Sequence, residues 1–342
     1  MNQNKYNAAA GCLLGALVGD AAGATLEFFD GDITSEDVAW AMTMPGGGDL
    51  QVAPGQITDD GELTLSLARA LGRSKTFDLE IIARHYAEWV ESRPFDMGFT
   101  TSYSLGSFRD VDVSQVGYGE VMKQSASKMC VGSKANGSLM RITPLGIWGH
   151  DLEASEIANF ARQDTSLYHP NHSCGYAVAC YSIAITSLIQ EPGQRELAFN
   201  RARTWLDSQA DLAQDSHQYH CWAEVSSWLY DAADDVNVPY YPQIGFVKIA
   251  FTHAFRHLLL GSDYKDALTE TLLGGGDTDT NACIVGGLIG AAVGIDGIPE
   301  NMRVQVLSCD TTMGKHPRPA FLHPRQVDDL IPQLLNSWTK SN

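Results

Sequence analysis

The sequence predicts an all-α protein, and three observations carry this prediction. Most of the 342 residues fall in stretches whose apolar side chains recur every three to four positions, which is the period of a helix. Alternating apolar and polar runs, typical of strands, are nearly absent. Two apolar segments carry a glycine at every fourth position, which suits close packing of helices. Because no flexible linker interrupts the chain, we expect one compact domain over residues 1–342.

The two glycine-striped segments cover residues 8–24 and 281–295. The first has glycine at positions 11, 15, 19 and 23, and the second at positions 286, 290 and 294. Residues four apart lie on the same face of a helix. Each glycine costs a helix about 1 kcal/mol relative to alanine, so close approach of another backbone is the compensation that we expect. We therefore predict that these two helices are central to the fold.

Further helical patterns follow along the chain. They cover residues 62–71, 79–92, 114–127, 154–162, 174–189, 195–210, 221–232, 246–260, 264–273 and 327–339. The loops predicted between them cover residues 30–57, 93–112, 132–143, 163–172 and 234–244. These loops carry the unusual polar residues, so we expect several loops to form a site together on a helical frame.

Composition excludes some classes of partner. The formal net charge is -18, and so acidic a surface repels phosphate backbones, which makes nucleic acid an unexpected partner. The seven cysteines stand singly, as expected for reduced, buried thiols in a cytoplasmic protein. No apolar run approaches the ~20 residues that a membrane span needs. We expect a cytoplasmic monomer.

Two short acidic segments contain the most distinctive residues. ITDD (residues 57–60) precedes a predicted helix, and GGGDTDT (residues 274–280) precedes the second glycine-striped helix. Threonine and aspartate at a helix start are often simply capping residues, favoured by the helix dipole. Gly61 weakens this interpretation of the first segment, because a helix gains nothing from glycine in its first turn.

Four aspartates would create a charge of about -4 if the two segments met in space, and such a cluster requires cations. Carboxylate and hydroxyl oxygens are the ligands of Mg²⁺ or Mn²⁺ rather than of zinc. No histidine or cysteine pair near either segment suggests a zinc site. Two divalent cations would balance the four carboxylates.

Five motifs together carry a resemblance to a known family. They are GCLLGALVGDAAGATLE (residues 11–27), GQITDDGELTL (55–65), NGSLMRITPLGI (136–147), HPNHSCGYA (169–177) and GGGDTDTNACIVGGLIGAAVG (274–294). In this order they resemble the ADP-ribosylglycohydrolases, in particular the branch that activates dinitrogenase reductase. The resemblance implies an all-α domain with a binuclear Mg²⁺ or Mn²⁺ centre in a cleft lined by loops. It also implies hydrolysis of the glycosidic bond between ADP-ribose and an acceptor.

The resemblance implies that side chains of both acidic segments hold the metals, with Asp279 bridging them. The implied ligands are Thr58, Asp59 and Asp60 on one side and Asp277, Asp279 and Thr280 on the other. Two further carboxylates are implied catalytic residues, Glu27 beside the metals and Asp96 near the scissile ribose. Without the family, Glu27 is equally well explained as an exposed residue at a helix end. Asp96 is then better explained as a turn residue. Asp20 is expected to cap or orient the loop that carries Glu27.

Other residues are expected to bind the nucleotide part of the substrate. His169 and Phe246 match positions that line the adenosine end in the family. We expect Asn136, Gly137 and Arg141 either to bind phosphate or only to stabilise their loop. Gly275 and Gly276 let the backbone turn tightly and approach a substrate. Three positions depart from the family pattern, namely Gly61, Phe99 and Phe246.

The leading functional hypothesis is a metal-dependent hydrolase that removes ADP-ribose from a protein side chain, with arginine favoured as the acceptor. The partner would then be an ADP-ribosylated protein. A two-metal phosphohydrolase or nucleotide hydrolase is an alternative, because the aspartates alone would serve one. A third hypothesis is an immunity protein that neutralises an ADP-ribosylating toxin by binding it or by reversing its modification.

Overall fold

The computed structural model describes residues 2–213 and 215–337. These residues contain sixteen α-helices. They are α1 (Gln3–Gly23), α2 (Ser35–Ala41), α3 (Asp59–Gly72), α4 (Leu79–Glu91), α5 (Phe99–Ser104), α6 (Tyr118–Met129), α7 (Thr143–Trp148), α8 (Ala154–Ser166), α9 (His172–Gln190), α10 (Arg195–Asp207), α11 (Ser216–Ala233), α12 (Val247–Leu260), α13 (Tyr264–Leu273), α14 (Thr278–Val293), α15 (Glu300–Leu307) and α16 (Val327–Ser337). Within these ranges there is no β-strand, only isolated bridges such as Ala135–Phe246. The all-α prediction is confirmed.

Helices α1 and α14 form the centre of the fold and run antiparallel, with their glycine faces in contact. A Cβ added to Gly15 would overlap the carbonyl oxygen of Gly286, and one added to Gly290 would overlap that of Gly11. The hydroxyl of Tyr264 also donates to the carbonyl of Gly15 at 2.6 Å. The two backbones therefore approach closely enough to exclude any side chain, which confirms the predicted central pair. Their antiparallel register also brings the C-terminal end of α1 beside the first residues of α14.

Several helix boundaries differ from the prediction. Helix α1 begins five residues earlier than expected, where the side chain of Asn2 caps it. Helix α6 begins at Tyr118 rather than at position 114, because Asp112 accepts the N–H of Ser114 in a local turn and Gly117 has a φ of +91°. Four short helices were missed, namely α2, α5, α7 and α15. Each is only six to eight residues long, too short to show a helical period.

We expected no apolar segment long enough for a membrane span, and α9 shows that this was wrong. Its 19 residues are long and apolar enough by composition to cross a membrane. In its most apolar 18-residue stretch, 94% of the residues are buried, so α9 is packed as a core helix. The cysteines are free and buried, in line with the prediction of reduced thiols. The predicted last helix extended to position 339, but residues 338–342 lie outside the described residues.

Candidate metal centre and substrate cleft

The turn before α3 points its polar groups toward the start of α14. Thr58 is the N-cap residue of α3, but its side chain makes no capping hydrogen bond. Its hydroxyl instead donates to Asp20 Oδ1 at 2.8 Å and lies 3.2 Å from Asp279 Oδ2. Simple helix capping therefore does not explain Thr58, whose hydroxyl joins three segments that are distant in the sequence.

Asp20, near the C-terminal end of α1, holds this turn in place. Both of its carboxylate oxygens lie 3.0 Å from the N–H of Thr58, and Oδ2 accepts the N–H of Gly61 at 2.8 Å. A Cβ at position 61 would lie 2.5 Å from Asp20 Oδ2. The glycine there is thus explained by the close approach of the carboxylate. The expectation that the Asp20 side chain caps or orients the loop of Glu27 was wrong, because its side-chain hydrogen bonds go to residues 58 and 61.

The glycine-rich segment turns the chain into α14. Gly275 and Gly276 have φ values of +70° and +74°, which glycine adopts without steric cost. Asp277 follows as the N-cap residue and, like Thr58, makes no capping hydrogen bond. Its Oδ2 instead accepts the side-chain amide of Asn136 at 2.8 Å. The tight turn thereby presents Asp277 to the loop around residue 136.

Glu27 is anchored by the same turn. Its Oε2 accepts the backbone N–H of Thr278 at 2.8 Å, and the Thr278 hydroxyl lies 3.0 Å from the same oxygen. Only 5% of Glu27 is exposed. The alternative of a solvated helix-end residue is therefore wrong, because Glu27 is buried and aligned with the first turn of α14.

Five carboxylates form two overlapping groups that share Asp279. The carboxylates of Asp20, Asp60 and Asp279 each place an oxygen within 4.8 Å of the others, and so do those of Glu27, Asp277 and Asp279. Such sets of oxygen donors suit hard divalent cations. One acceptor, Asp60 Oδ1, is buried without a hydrogen-bond partner among the described residues. The donors present therefore fit a divalent cation, and Asp279 is the residue common to both groups.

The electrostatics of the cluster also favour a bound divalent cation. Burial raises the pKa of Asp20 to about 7, and burial and then the Asp277 charge raise the pKa of Glu27 to about 7. The pKa values of Asp60 and Asp279 are raised well above their ordinary range by burial and then by neighbouring carboxylates. Without cations, burial and mutual repulsion therefore favour the protonated forms of these acids. A divalent cation among them would reverse the shifts and favour their ionised forms.

The remaining two predicted ligands are Asp59 and Thr280. Asp59 lines the same cleft as Asp277 and Asp279, and its pKa is raised well above its ordinary range by burial and then by the charge of Asp96. The hydroxyl of Thr280 donates to Asp60 Oδ2 at 3.3 Å and so links α14 to α3. The structure thus brings all six predicted metal ligands to one place.

A cleft of about 310 Å³ opens onto this cluster. Its lining includes Glu27, Phe28, Asp59, Asp96, Gly98, Phe99, Thr100, Thr101, Ala135, Asn136, Gly137, Met140, Tyr168, His169, Ile244, Gly245, Asp277, Asp279 and Thr280. The lining is acidic, and it contains no lysine or arginine among the described residues. Both predicted catalytic carboxylates border this cleft, as do three of the residues expected to bind substrate.

His169 is a buried residue in the wall of the cleft. It is 1% exposed, and its Nδ1 lies 3.3 Å from Ser138 Oγ. Burial and then the charge of Arg141 lower its pKa to about 3. Its Nε2 has no hydrogen-bond partner within the described ranges. An unpaired buried nitrogen of this kind costs free energy in the folded protein.

Arg141 supports the cleft wall instead of binding phosphate from within it. The guanidinium is fully buried, donates to Asp164 Oδ2 at 2.9 Å and to the hydroxyl of Tyr86 at 2.9 Å, and lies 3.3 Å from the carbonyl of Gly137. These bonds fix the loop that carries Asn136. Of the two interpretations left open for Arg141, the structure supports the stabilising one.

Three predicted substrate residues lie outside the cleft lining. Phe246 borders an adjacent surface groove and packs edge-on against Trp228, with ring centroids 5.5 Å apart. The two depressions share Ala135 and two other residues, so the groove continues the cleft. Gly275 and Gly276 shape the turn itself, and the N–H of Gly276 donates to the hydroxyl of Tyr241 at 2.9 Å.

Arg318 is a supporting residue that the sequence did not reveal. Its guanidinium forms a buried ion pair with Glu62 on α3, with Nε 2.7 Å from Oε1. It also donates to the carbonyls of Ser92 and Arg93, at 3.0 and 3.1 Å. This single side chain thus ties the helix that follows the acidic turn to the segment leading to Asp96. A lone arginine between two prolines gives no sequence signal of such a role.

The chain is similar to known proteins of one family. The family model for ADP-ribosylglycohydrolase matches residues 1–333. The chain is 30% identical over 301 residues to the ADP-ribosyl-[dinitrogen reductase] glycohydrolase of Rhodospirillum rubrum, covering 86% of this chain and 88% of that protein. It is 26% identical over 331 residues to the ADP-ribosylarginine hydrolase Tri1 of Pseudomonas putida, covering 94% of this chain and 80% of the relative.

A solved structure shares the fold. It is described as an ADP-ribosylglycohydrolase-related protein complex, and it superposes with a TM-score of 0.70 at 19% identity. The similarity covers 98% of this chain and 100% of that one. The family match over nearly the whole length, the all-helical fold and the carboxylate cluster agree, and the chain belongs to the ADP-ribosylglycohydrolase family of hydrolases.

Proposed function

We propose that the protein uses two divalent cations, Mg²⁺ or Mn²⁺, to hydrolyse the bond between ADP-ribose and a protein side chain, with arginine as the acceptor. The observation that carries this proposal is the pair of carboxylate groups sharing Asp279 at the floor of an acidic cleft. Its relatives include enzymes named for dinitrogen reductase and for ADP-ribosylarginine. Both names point to removal of ADP-ribose from proteins.

The proposed cation ligands are the six side chains at the starts of α3 and α14. They are Thr58, Asp59, Asp60, Asp277, Asp279 and Thr280. Asp279 belongs to both carboxylate groups and is the proposed bridging residue. Asp20 holds the turn before α3 through hydrogen bonds to the N–H groups of Thr58 and Gly61, and we assign it the role of supporting the ligands. When bound, the cations would supply charge that orients the ribose hydroxyls and a water molecule.

Glu27 is the proposed general base. In hydrolysis, water adds to the anomeric carbon of the ribose while the bond from that carbon to the acceptor nitrogen breaks. The proton released from water goes to a carboxylate, and the guanidine that leaves then takes that proton. Glu27 is buried, lines the cleft and has one oxygen fixed by Thr278. A fixed carboxylate beside the reacting carbon would also stabilise positive charge developing on the ribose.

Asp96 is the proposed contact to the ribose or the acceptor. It lines the same cleft but belongs to neither carboxylate group. The nucleotide part of the substrate would extend along Asn136, Gly137 and His169 toward the groove beside Phe246. A toxin as the source of the modification, a monomeric state and a cytoplasmic location stay predictions from the sequence.

The experiment that tests the proposed function compares products. The protein is incubated with Mn²⁺ or Mg²⁺ and peptides carrying ADP-ribose on arginine or serine, or DNA carrying ADP-ribose, and the products are identified by mass spectrometry. We expect free ADP-ribose and unmodified arginine peptide. Release of inorganic phosphate or AMP with the acceptor still modified would instead show a phosphohydrolase and overturn the proposal.

A further inference from the structure

Aromatic side chains are unusually exposed at the cleft that holds the carboxylate cluster. Phe99 is 75% exposed and Phe28 is 57% exposed, yet both border the cleft. Phe99 begins α5 and packs against Tyr103, with ring centroids 4.3 Å apart and the planes at 50°. Exposed large aromatic residues clustered in one place usually mark a binding surface.

Phe28 is also held in an unusual backbone conformation. Its φ is +60°, in the left-handed region that residues other than glycine rarely adopt. It follows Glu27 directly, and Glu27 is fixed to the first turn of α14. The anchored carboxylate thus presents the next ring at the surface of the cleft. Such strained positions persist where the surrounding structure maintains them and are concentrated at functional sites.

The charges around these rings select the kind of group that fits. Three residues before Phe99, Asp96 lines the cleft and lies outside both carboxylate groups of the proposed metal centre. The part of the lining that the structure describes contains no lysine or arginine that would compete for it. A ring face beside a carboxylate attracts a flat cation, because the ring carries negative potential on its face and the carboxylate accepts the cation's N–H groups.

We propose that Phe99, together with Phe28 and Asp96, forms an acceptor subsite for the guanidinium group of ADP-ribosylated arginine. This inference rests on the proposed function and assigns the acceptor to residues of this chain. The guanidinium remains cationic when one nitrogen carries ribose, and it is planar enough to stack on a ring. A serine acceptor is neutral and short, and would gain neither the ring contact nor the charge-assisted hydrogen bond.

The test varies the ring at position 99. Steady-state hydrolysis is measured on one peptide sequence carrying ADP-ribose on arginine or on serine, with Phe99→Ala, Phe99→Leu and Phe99→Tyr. Loss of the ring should raise KM for the arginine-linked peptide by about 3- to 30-fold, the range of cation–π contributions. Leucine should behave like alanine and tyrosine like phenylalanine, because only an aromatic face attracts the cation.

Two controls accompany these variants. Trp40→Ala removes a surface aromatic that is 49% exposed and lies outside the cleft lining. The KM values for both peptides should therefore be unchanged. Binding of free ADP-ribose, followed by calorimetry, should persist in Phe99→Ala, because ADP-ribose has no acceptor. This result would show that the cleft is intact.

The outcomes separate this inference from the proposed function. If wild-type protein releases ADP-ribose from arginine and Phe99→Ala does so with an unchanged KM, the acceptor subsite is wrong while the proposed function stands. An equal loss on arginine-linked and serine-linked peptides, or a Phe99→Leu variant that matches wild type, would also overturn the subsite. If wild-type protein does not act on the arginine-linked peptide, both are overturned.

Discussion

The backbone N–H of Thr278 donates to Glu27 Oε2 at 2.8 Å and so joins the end of α1 to the start of α14. This bond depends on the glycine contacts of the same two helices, because their antiparallel register brings residue 23 next to residue 278. The carbonyl of Gly23 in turn lies 2.9 Å from the Thr278 hydroxyl. Packing of the central helix pair thus aligns the proposed base with one of the two acidic segments.

Glu27→Gln should lower kcat by roughly 10²–10⁴, the usual contribution of a general acid or base. Glutamine retains the shape and an oxygen that accepts the Thr278 N–H, but it cannot take a proton from water. Single-turnover assays would measure the chemical step, and calorimetry should show ADP-ribose binding and metal content unchanged. Normal turnover, or loss of the metals, would show that Glu27 is not the base.

The pH dependence of stability tests the environment of Glu27 without any substrate. Burial raises its pKa from 4.5 to about 7, so the folded state binds this proton more tightly than the unfolded chain. A carboxylate whose pKa is higher in the folded protein does not change stability while the pH is below its pKa in the unfolded chain. Above that pH the folded protein loses stability until the pH passes the folded-state pKa. The destabilisation therefore develops between about pH 4 and pH 7 in metal-free protein.

Comparison with Glu27→Gln isolates this effect from buried histidines such as His169, whose lowered pKa gives the opposite trend. In EDTA, the two proteins should have similar Tm values at pH 5, and Glu27→Gln should be the more stable at pH 8. Differential scanning calorimetry would measure both. A wild type that is as stable as the variant at pH 8 would show that Glu27 is ionised without cost.

Gly15→Leu and Gly290→Leu should destabilise the protein by about 1–3 kcal/mol or more, because the added side chain meets the backbone of the partner helix. Gly132→Leu is a matched control, since a Cβ there meets nothing within 4 Å. Urea denaturation would give the free energies of unfolding. If the helix variants unfold like the control, the two helices do not pack as closely as the structure shows.

Arg318→Met should lower the free energy of unfolding by about 3–5 kcal/mol, because it leaves the carboxylate of Glu62 buried without its partner. Arg84→Met removes an exposed arginine paired with Glu80 at 3.0 Å and should cost less than about 1 kcal/mol. The double variant Glu62→Gln, Arg318→Met should recover part of the loss. Equal effects of the two single arginine variants in urea denaturation would contradict a buried, essential pair.

The sequence predicted those features that leave a periodic or local signal. Glycine at every fourth residue identified the α1–α14 pair, and two acid-threonine segments identified one cluster. It did not reveal Arg318, because its contacts join residues more than 220 positions apart. Nor did it reveal that Gly61 makes room for Asp20, since that requires knowing which segment lies beside the turn. The short helices were missed because their stability comes from packing against longer ones.

Dependence of ADP-ribose release on divalent cations is the most direct measurement of the proposed function. Protein stripped with EDTA should release no ADP-ribose from an arginine-linked peptide, and adding Mn²⁺ or Mg²⁺ should restore the rate with saturation. Asp279→Ala, which removes the carboxylate common to both groups, should bind less metal and remain inactive at the same cation concentrations, with its helical content preserved. Full activity of the stripped wild-type protein would contradict a metal-dependent hydrolase.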